Sequence, residues 1–201
     1  MISKSVLKAK ARLRTAAQQL ERVEASTSYE EFADQWYLFL VAAKNVYTML
    51  EQGSKDTPQC RQWFGGVKQV RKSDPLLQYL FQARDDDEHG LSDVTKLESA
   101  SLSIGKVRSG YSNHVSMSFT TDAIGRPVVH NIESRDGLPV LIEAREPHIA
   151  LMPVTGRGGV VYPPPTKHLG KLLPDDLPLT VGKAGLVYLE ALVSEAEARV
   201  A

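Results

Sequence analysis

Residues 74–90 read DPLLQYLFQARDDDEHG, a stretch that begins and ends as a helix does. Asp74 offers its carboxylate as an N-cap, and Pro75 suits the first helical position, where its missing N–H costs nothing. Leu76, Leu77, Leu80, Phe81 and Ala83 recur at helical spacing and make an apolar face. His89 and Gly90 form a terminus, because glycine takes the left-handed conformation that closes many helices. Just before that terminus, Arg84, three aspartates, Glu88 and His89 crowd a cation, carboxylates and a titratable imidazole beside the apolar face.

The spacing Arg-x-x-x-x-His, with polar Asp85 directly after Arg84 and near the end of a helix, resembles the motif of the HEPN family of small helical-bundle proteins. Many members of that family are metal-independent endoribonucleases, and others are inactive scaffolds. The resemblance covers roughly the first half of the chain. It implies that Arg84 binds a scissile phosphate, that Asp85 fills the polar position and that His89 moves protons to or from the ribose 2′-hydroxyl. These three are the candidate catalytic residues. One variant of the family carries a tyrosine two residues after the histidine; Leu91 stands there, so the modification linked to that tyrosine is not implied.

Five residues on a regular helix set Arg84 and His89 about 140° apart, on different faces. They converge only if the helix frays at Gly90 or if two copies of the site meet across a dimer. The family generally uses the second solution, and a homodimer is expected here. The competing reading of the same residues is structural. Arg84 then pairs with Asp85 or Glu88 on a solvated surface, and His89 caps carbonyls at a helix end.

Toward the N-terminus the helical period continues. Val6, Ala9, Leu13, Ala16, Leu20 and Val23 mark one stripe of a first helix over residues 3–25. Ser28 and Glu31 stand in capping-box register at the start of a second. That helix runs through Phe32, Trp36, Phe39, Leu40, Ala43, Val46, Tyr47 and Leu50 to Gly53, and its apolar content marks it as central. Thr57 and Pro58 open a third, shorter helix, in which the pair Gly65-Gly66 predicts a kink. Residues 91–100 read as further helical turns or a loop.

Beyond Gly105 the period changes to two. Val115, Met117 and Phe119 alternate with Ser116, Ser118 and Thr120, the pattern of a half-buried strand. Turn residues at Asp122, Gly125 and Arg135-Asp136-Gly137 separate further strands over 127–132, 139–144, 149–154 and 160–162, which implies an antiparallel meander or paired hairpins. Gly156-Arg157-Gly158-Gly159 could cradle an anion but lacks the lysine and hydroxyl of a phosphate-binding loop. A stiff Pro163-Pro164-Pro165 linker and a connector over 169–177 lead to a last helix over about 180–199. Thr180 is its expected N-cap, and Leu186, Leu189, Leu192 and Val193 are its apolar face.

Composition bounds the rest. A chain of 201 residues, 42% hydrophobic and 24% charged, can bury a core as one domain with an elaboration. The formal net charge is zero, yet Lys4, Lys8, Lys10, Arg12 and Arg14 make one basic run and Arg61, Lys68, Arg71 and Lys72 another. Such runs track phosphates or are simply solvated helix faces. Cys60 is the only cysteine, which excludes an intrachain disulfide and a cysteine zinc site. His114, His130, His148 and His168 are too scattered for a ligand set. No serine stands at a nucleophile elbow. No cofactor or metal is expected. No run approaches the roughly 20 apolar residues that span a bilayer, and the sequence MISKSVLKAK has no apolar core of a secretory signal. A cytoplasmic location and no membrane partner are expected.

The expected fold is α+β, a HEPN-like helical bundle with a small antiparallel β-sheet excursion before its last helix. The expected divisions are 1–100 for the bundle, 101–166 for the β portion, and 167–201 for the connector and a helix packing back on the bundle. Three functions compete. The first is a metal-independent endoribonuclease using Arg84 and His89. The second is a non-catalytic scaffold that dimerises or holds a protein partner. The third is a binding module working through the β portion. The acidic run 85–88 opposes an RNA backbone unless cations offset it. RNA is the nucleic acid implied, and no DNA partner is expected.

Overall fold

The computed structural model describes residues 1–89, 93–104, 109–122, 127–156 and 158–200, without the side chains of 87–89 and 127. The fold is mixed α+β. Among the described residues it has five helices and ten short strands: α1 (Ser3–Ala25), α2 (Tyr29–Ser54), α3 (Pro58–Ser73), α4 (Pro75–His89), β1 (Thr95–Glu98), β2 (Ser101–Ile104), β3 (Val115–Thr121), β4 (Pro127–Ser134), β5 (Ile142–Arg145), β6 (His148–Leu151), β7 (Val154–Thr155), β8 (Val161–Tyr162), β9 (Lys167–His168), β10 (Lys171–Leu172) and α5 (Pro178–Glu197). None of the described helices is long and apolar enough to cross a membrane.

Side chains at the helix starts explain where the helices begin. Ser28 accepts a hydrogen bond from the Glu31 amide at 3.1 Å, while the Glu31 carboxylate accepts from the Thr27 amide at 3.0 Å, one residue outside the usual reciprocal pair. Thr57 accepts from the Cys60 amide, with Pro58 at the first position of α3. Gly65 and Gly66 lie within that helix, which runs unbroken from Pro58 to Ser73.

Asp74 is the single-residue joint between two helices. Its amide closes α3 on the Val70 carbonyl, and its carboxylate caps α4 by accepting from the Leu77 amide at 2.9 Å. The same buried carboxylate accepts from His168 Nδ1 at 3.0 Å and from the Leu169 amide at 2.6 Å. The β9–β10 hairpin is thereby fastened to the start of α4, inside the stretch read from sequence as a connector.

The core is built mostly from the helices, with Val94, Leu151 and Val154 added from the short strands and the residue before β1. Trp36, Phe39, Leu40, Val46 and Leu50 of α2 are buried, and α2 touches each of the other four helices. The stripe on α1 is buried except at Leu13, which is half-buried. Two glycines bring α5 close. A Cβ at Gly182 would stand 2.6 Å from Leu20 Cδ1, and one at Gly185 2.5 Å from Leu80 Cδ1. Helix α5 starts at Pro178 behind Leu177, which makes no side-chain cap. Thr180 lies inside the first turn and is not the N-cap, because Pro178 already supplies a pre-set first position.

Contacts divide the chain into two compact units, Met1–Leu97 with Ile149–Ala201, and Glu98–His148. The second unit is a two-stranded ribbon. β2 pairs with β5 and β3 with β4, antiparallel and nested. Among the described residues the strands make separate two-stranded pairs rather than a single sheet or a meander. Strand β1 also falls in the stretch read as helical turns or loop. Between Ser118 and Phe119 the register slips: Ser118 faces Asn131 and Phe119 faces Val129, leaving His130 over as a bulge. That extra residue sets Ile132 and Val129, three apart in sequence, opposite Met117 and Phe119. The apolar face so aligned is half-buried on β4, at Val129 and Ile132, and more open on β3. Met117 is 45% exposed and Phe119 57%, and Ser112 is the only buried residue among those described in this unit.

In the helical unit the short strands are tied to the helices through tyrosines. Tyr29 donates to the Thr95 carbonyl and Tyr79 to the Met152 carbonyl, each at 2.7 Å.

Candidate functional site

Arg84 and Asp85 follow one turn after Leu80 and Phe81 on α4 and are half-buried beside the buried row Leu76, Leu77, Leu80 and Ala83. Arg84 Nη1 stands 3.2 Å from Asp85 Oδ1, and the side chains are each 20% exposed. Lys44 of α2 completes the cluster: its ammonium pairs with the same Asp85 oxygen and is 22% exposed. Two cations therefore face one carboxylate in a place only partly open to water, where Coulomb attraction is stronger than on a solvated surface.

Sequence reasoning did not single out Lys44. The signal was available, because Lys44 is the only charged residue between Asp34 and Glu51 on a largely apolar helix. A lone cation in such a run needs a partner or a route to solvent. Lys44 takes both, pairing with Asp85 and lying 4.7 Å over the Phe81 ring.

The helix continues without a break to His89, so Arg84 and His89 of one copy occupy different faces, about 140° apart. The His89 side chain lies outside the described residues, as do those of Asp87 and Glu88 and the whole of Gly90 and Leu91. The acidic run is partly committed to local bonds. Asp85 is held by Lys44 and Arg84, and Asp86 Oδ2 accepts from the Thr155 amide at 2.8 Å. Both carboxylates thus face donors within the fold.

Beside this cluster, α2, α3 and α4 enclose a groove lined by Lys44, Lys68, Arg71, Lys72, Phe64 and Phe81, with Tyr47 and Glu51 on its α2 side. It continues along α3 and α4 past Gln78 and Gln82 to Tyr162. Lys68, Arg71 and Lys72 fall at i, i+3 and i+4 and share one face of α3. Arg71 lies 3.8 Å from the Phe81 ring centroid and 5.9 Å from that of Tyr47. Burial pushes the Tyr47 phenol far above its ordinary range, with Tyr188, stacked on it at 6.5 Å, adding to the shift. Tyr47 therefore stays neutral across the physiological range.

The other sequence candidates are accounted for in simpler ways. In the glycine-rich loop, the Gly156 and Gly159 amides are taken by the carbonyls of Val160 and Gly156. Gly158 and Gly159 adopt positive φ to close the β7–β8 hairpin; Arg157 lies outside the described residues. His168 is the Asp74 partner and His130 bonds to Thr120 at 2.7 Å. Among the described residues no histidine, cysteine or carboxylate groups gather as metal ligands. Lys10 of the N-terminal basic run pairs with Glu197.

No family model matches the chain, nor does any curated protein or solved structure.

Proposed function

We propose that this chain is a HEPN-like helical-bundle protein that cleaves RNA without a metal ion, using Arg84 and His89 in a homodimer. The observation that carries the reading is the cationic setting of the motif helix. Arg84 is half-buried against Asp85 and Lys44, and one turn away the Phe81 ring carries Arg71 on the neighbouring helix. A phosphodiester oxygen gains most from cations that are already fixed in place, because no reorganisation is needed as its charge grows.

In the proposed step His89 takes the proton of the ribose 2′-hydroxyl, and that oxygen attacks the adjacent phosphorus. The P–O5′ bond breaks, giving a 2′,3′-cyclic phosphate and a 5′-hydroxyl once a proton reaches the leaving oxygen. An imidazole suits this role because its ordinary titration lies near neutral pH. Arg84 holds the non-bridging oxygens through a fork that lysine cannot copy. Asp85 is a positioning residue that fixes the guanidinium. Because one helix keeps Arg84 and His89 on different faces, the reading requires two copies around a two-fold axis.

One observation favours a second reading, a non-catalytic HEPN-like scaffold that dimerises or holds a protein partner. The Lys44–Asp85–Arg84 cluster ties α2 to α4, so these residues have a fold-holding role that needs no substrate. One experiment separates the two. Wild-type protein is incubated with a varied single-stranded RNA pool in EDTA, beside Arg84→Lys and His89→Ala. Each substitution is expected to lower cleavage by about 10²-fold or more, with the helical circular-dichroism signal unchanged and light scattering giving a dimer for all three. An uncut pool, with His89→Ala losing stability or dimerisation, gives the scaffold reading instead.

A further inference from the structure

The cations of the α2–α3–α4 groove outnumber what the fold needs to hold itself together. Lys44 is spent on Asp85, and Lys68 pairs with Glu51, the one carboxylate lining the groove. Among the described residues no carboxylate pairs with Arg71 or Lys72. Both come from the end of α3, where cations favourably face the helix carbonyls.

Aromatic rings hold these charges in place. Arg71 lies on Phe81, Lys44 lies over the same ring, and Lys68 stands 5.6 Å from the centre of Phe64. A guanidinium laid on a ring keeps its N–H edge free, which suits bidentate contact with a phosphate. Ordering a long cationic side chain beforehand also removes part of the entropy cost of binding an anion. Rings that already carry cations are poor platforms for bases. Among the described residues the Tyr162 ring at the far end carries no such cation.

We propose that this groove is the path of a single-stranded RNA backbone leading to Arg84. In it Arg71 and Lys72 contact successive phosphates, Lys68 adds longer-range attraction, and Tyr162 with Gln82 meets the strand at the far end. The choice of RNA as ligand rests on the function proposed above. The groove itself rests on its own residues. Lys44 lies at the junction, since it lines the groove and touches Asp85 of the motif pair.

The test measures binding separately from cleavage. A fluorescently labelled 12-nucleotide single-stranded RNA is titrated in EDTA with His89→Ala protein, which still carries the whole groove. The same titration uses His89→Ala with Arg71→Gln and Lys72→Gln added. Neutralising two phosphate contacts is expected to weaken binding about tenfold or more at moderate salt and to reduce the salt-dependence slope by about 1.4. Lys72→Glu added by itself to His89→Ala, at an exposed position, should give a loss of the same direction without touching the Phe81 packing. Equal binding by all three proteins overturns the groove, whatever the cleavage assay gives. So does full displacement of the RNA by inorganic pyrophosphate or by poly-glutamate at matched charge, since either marks a general anion pocket. RNA held in the groove but left uncut by wild-type protein overturns the nuclease reading and leaves the groove standing.

Discussion

The two units of this chain show the same kind of apolar patterning and opposite outcomes. On α2, Trp36, Phe39, Val46 and Leu50 repeat at helical spacing and are fully buried. On β3, Met117 and Phe119 repeat at strand spacing and are about half exposed. The period of a pattern tells which element forms, since it reflects backbone geometry alone. Burial needs a second layer. Helix α2 finds that layer in the four other helices, whereas a two-stranded ribbon has no layer to pack on within its own pairs and is marginal by itself. The bulge at His130 sharpens the lesson: the ribbon goes out of register to line up an apolar face that stays in contact with water.

The comparison breaks most visibly under truncation of its two aromatic representatives. Trp36 is fully buried and stacks near Phe32 and Phe39, so Trp36→Ala should cost about 3–5 kcal/mol. Phe119→Ala should stay within about 0.5 kcal/mol. Urea unfolding followed at the helical circular-dichroism signal measures both. A Phe119→Ala loss as large as that of Trp36→Ala would mean that the ribbon carries a core of its own.

What the sequence disclosed follows from which effects are local. The starts of α2, α3 and α4 were legible because Ser28, Thr57 and Asp74 each bond to an amide three residues on, within the same turn. The start of α5 was misplaced because Pro178 fixes it without any side-chain cap. The tight approach of α5 was also hidden, since Gly182 and Gly185 add nothing to an apolar pattern and act only by what they leave out. Strands β1, β9 and β10 were unforeseen for a related reason. They are short, and β9–β10 is held by Asp74, nearly a hundred residues away in sequence. At the candidate site the pairing of Arg84 with Asp85 could be anticipated from adjacency, but the Lys44 contact joins two helices and needed the fold. Likewise, the basic run on α3 was visible, and its arrangement on Phe81 was not.

A smaller effect, in alkali, should strike the helical unit. Burial raises the phenol pKa of Tyr47, Tyr79 and Tyr188 above the ordinary value near 10. Their folded values lie above the unfolded one, so the stability they lend is full below about pH 10 and falls as the pH climbs beyond it. Above that pH the unfolded chain ionises first and draws the protein toward it. Urea midpoints should therefore hold level up to about pH 9.5 and drop steeply by pH 11, with the phenolate absorbance of these three rings appearing together with loss of helix. Phenolate absorbance appearing in full near pH 10, with the helical signal intact, would contradict the burial of these rings.

The smallest effect tests the contrast between packed and open surface within the helical unit itself. Gly185 and Gly66 both lie inside helices, where alanine is intrinsically better than glycine by about 1 kcal/mol. At Gly185 an added Cβ would meet Leu80 Cδ1 at 2.5 Å, and overpacking of that kind costs more than the propensity returns. At Gly66 a Cβ would find nothing within 4 Å, so only the propensity remains. Gly66→Ala should thus raise stability by about 0.5–1 kcal/mol, while Gly185→Ala lowers it. Differential scanning calorimetry of the two variants decides the matter by sign alone. If Gly66→Ala destabilised the protein, the exposed face of α3 would have to be covered by some surface in solution, and the division between packed core and open face drawn above would fail at that helix.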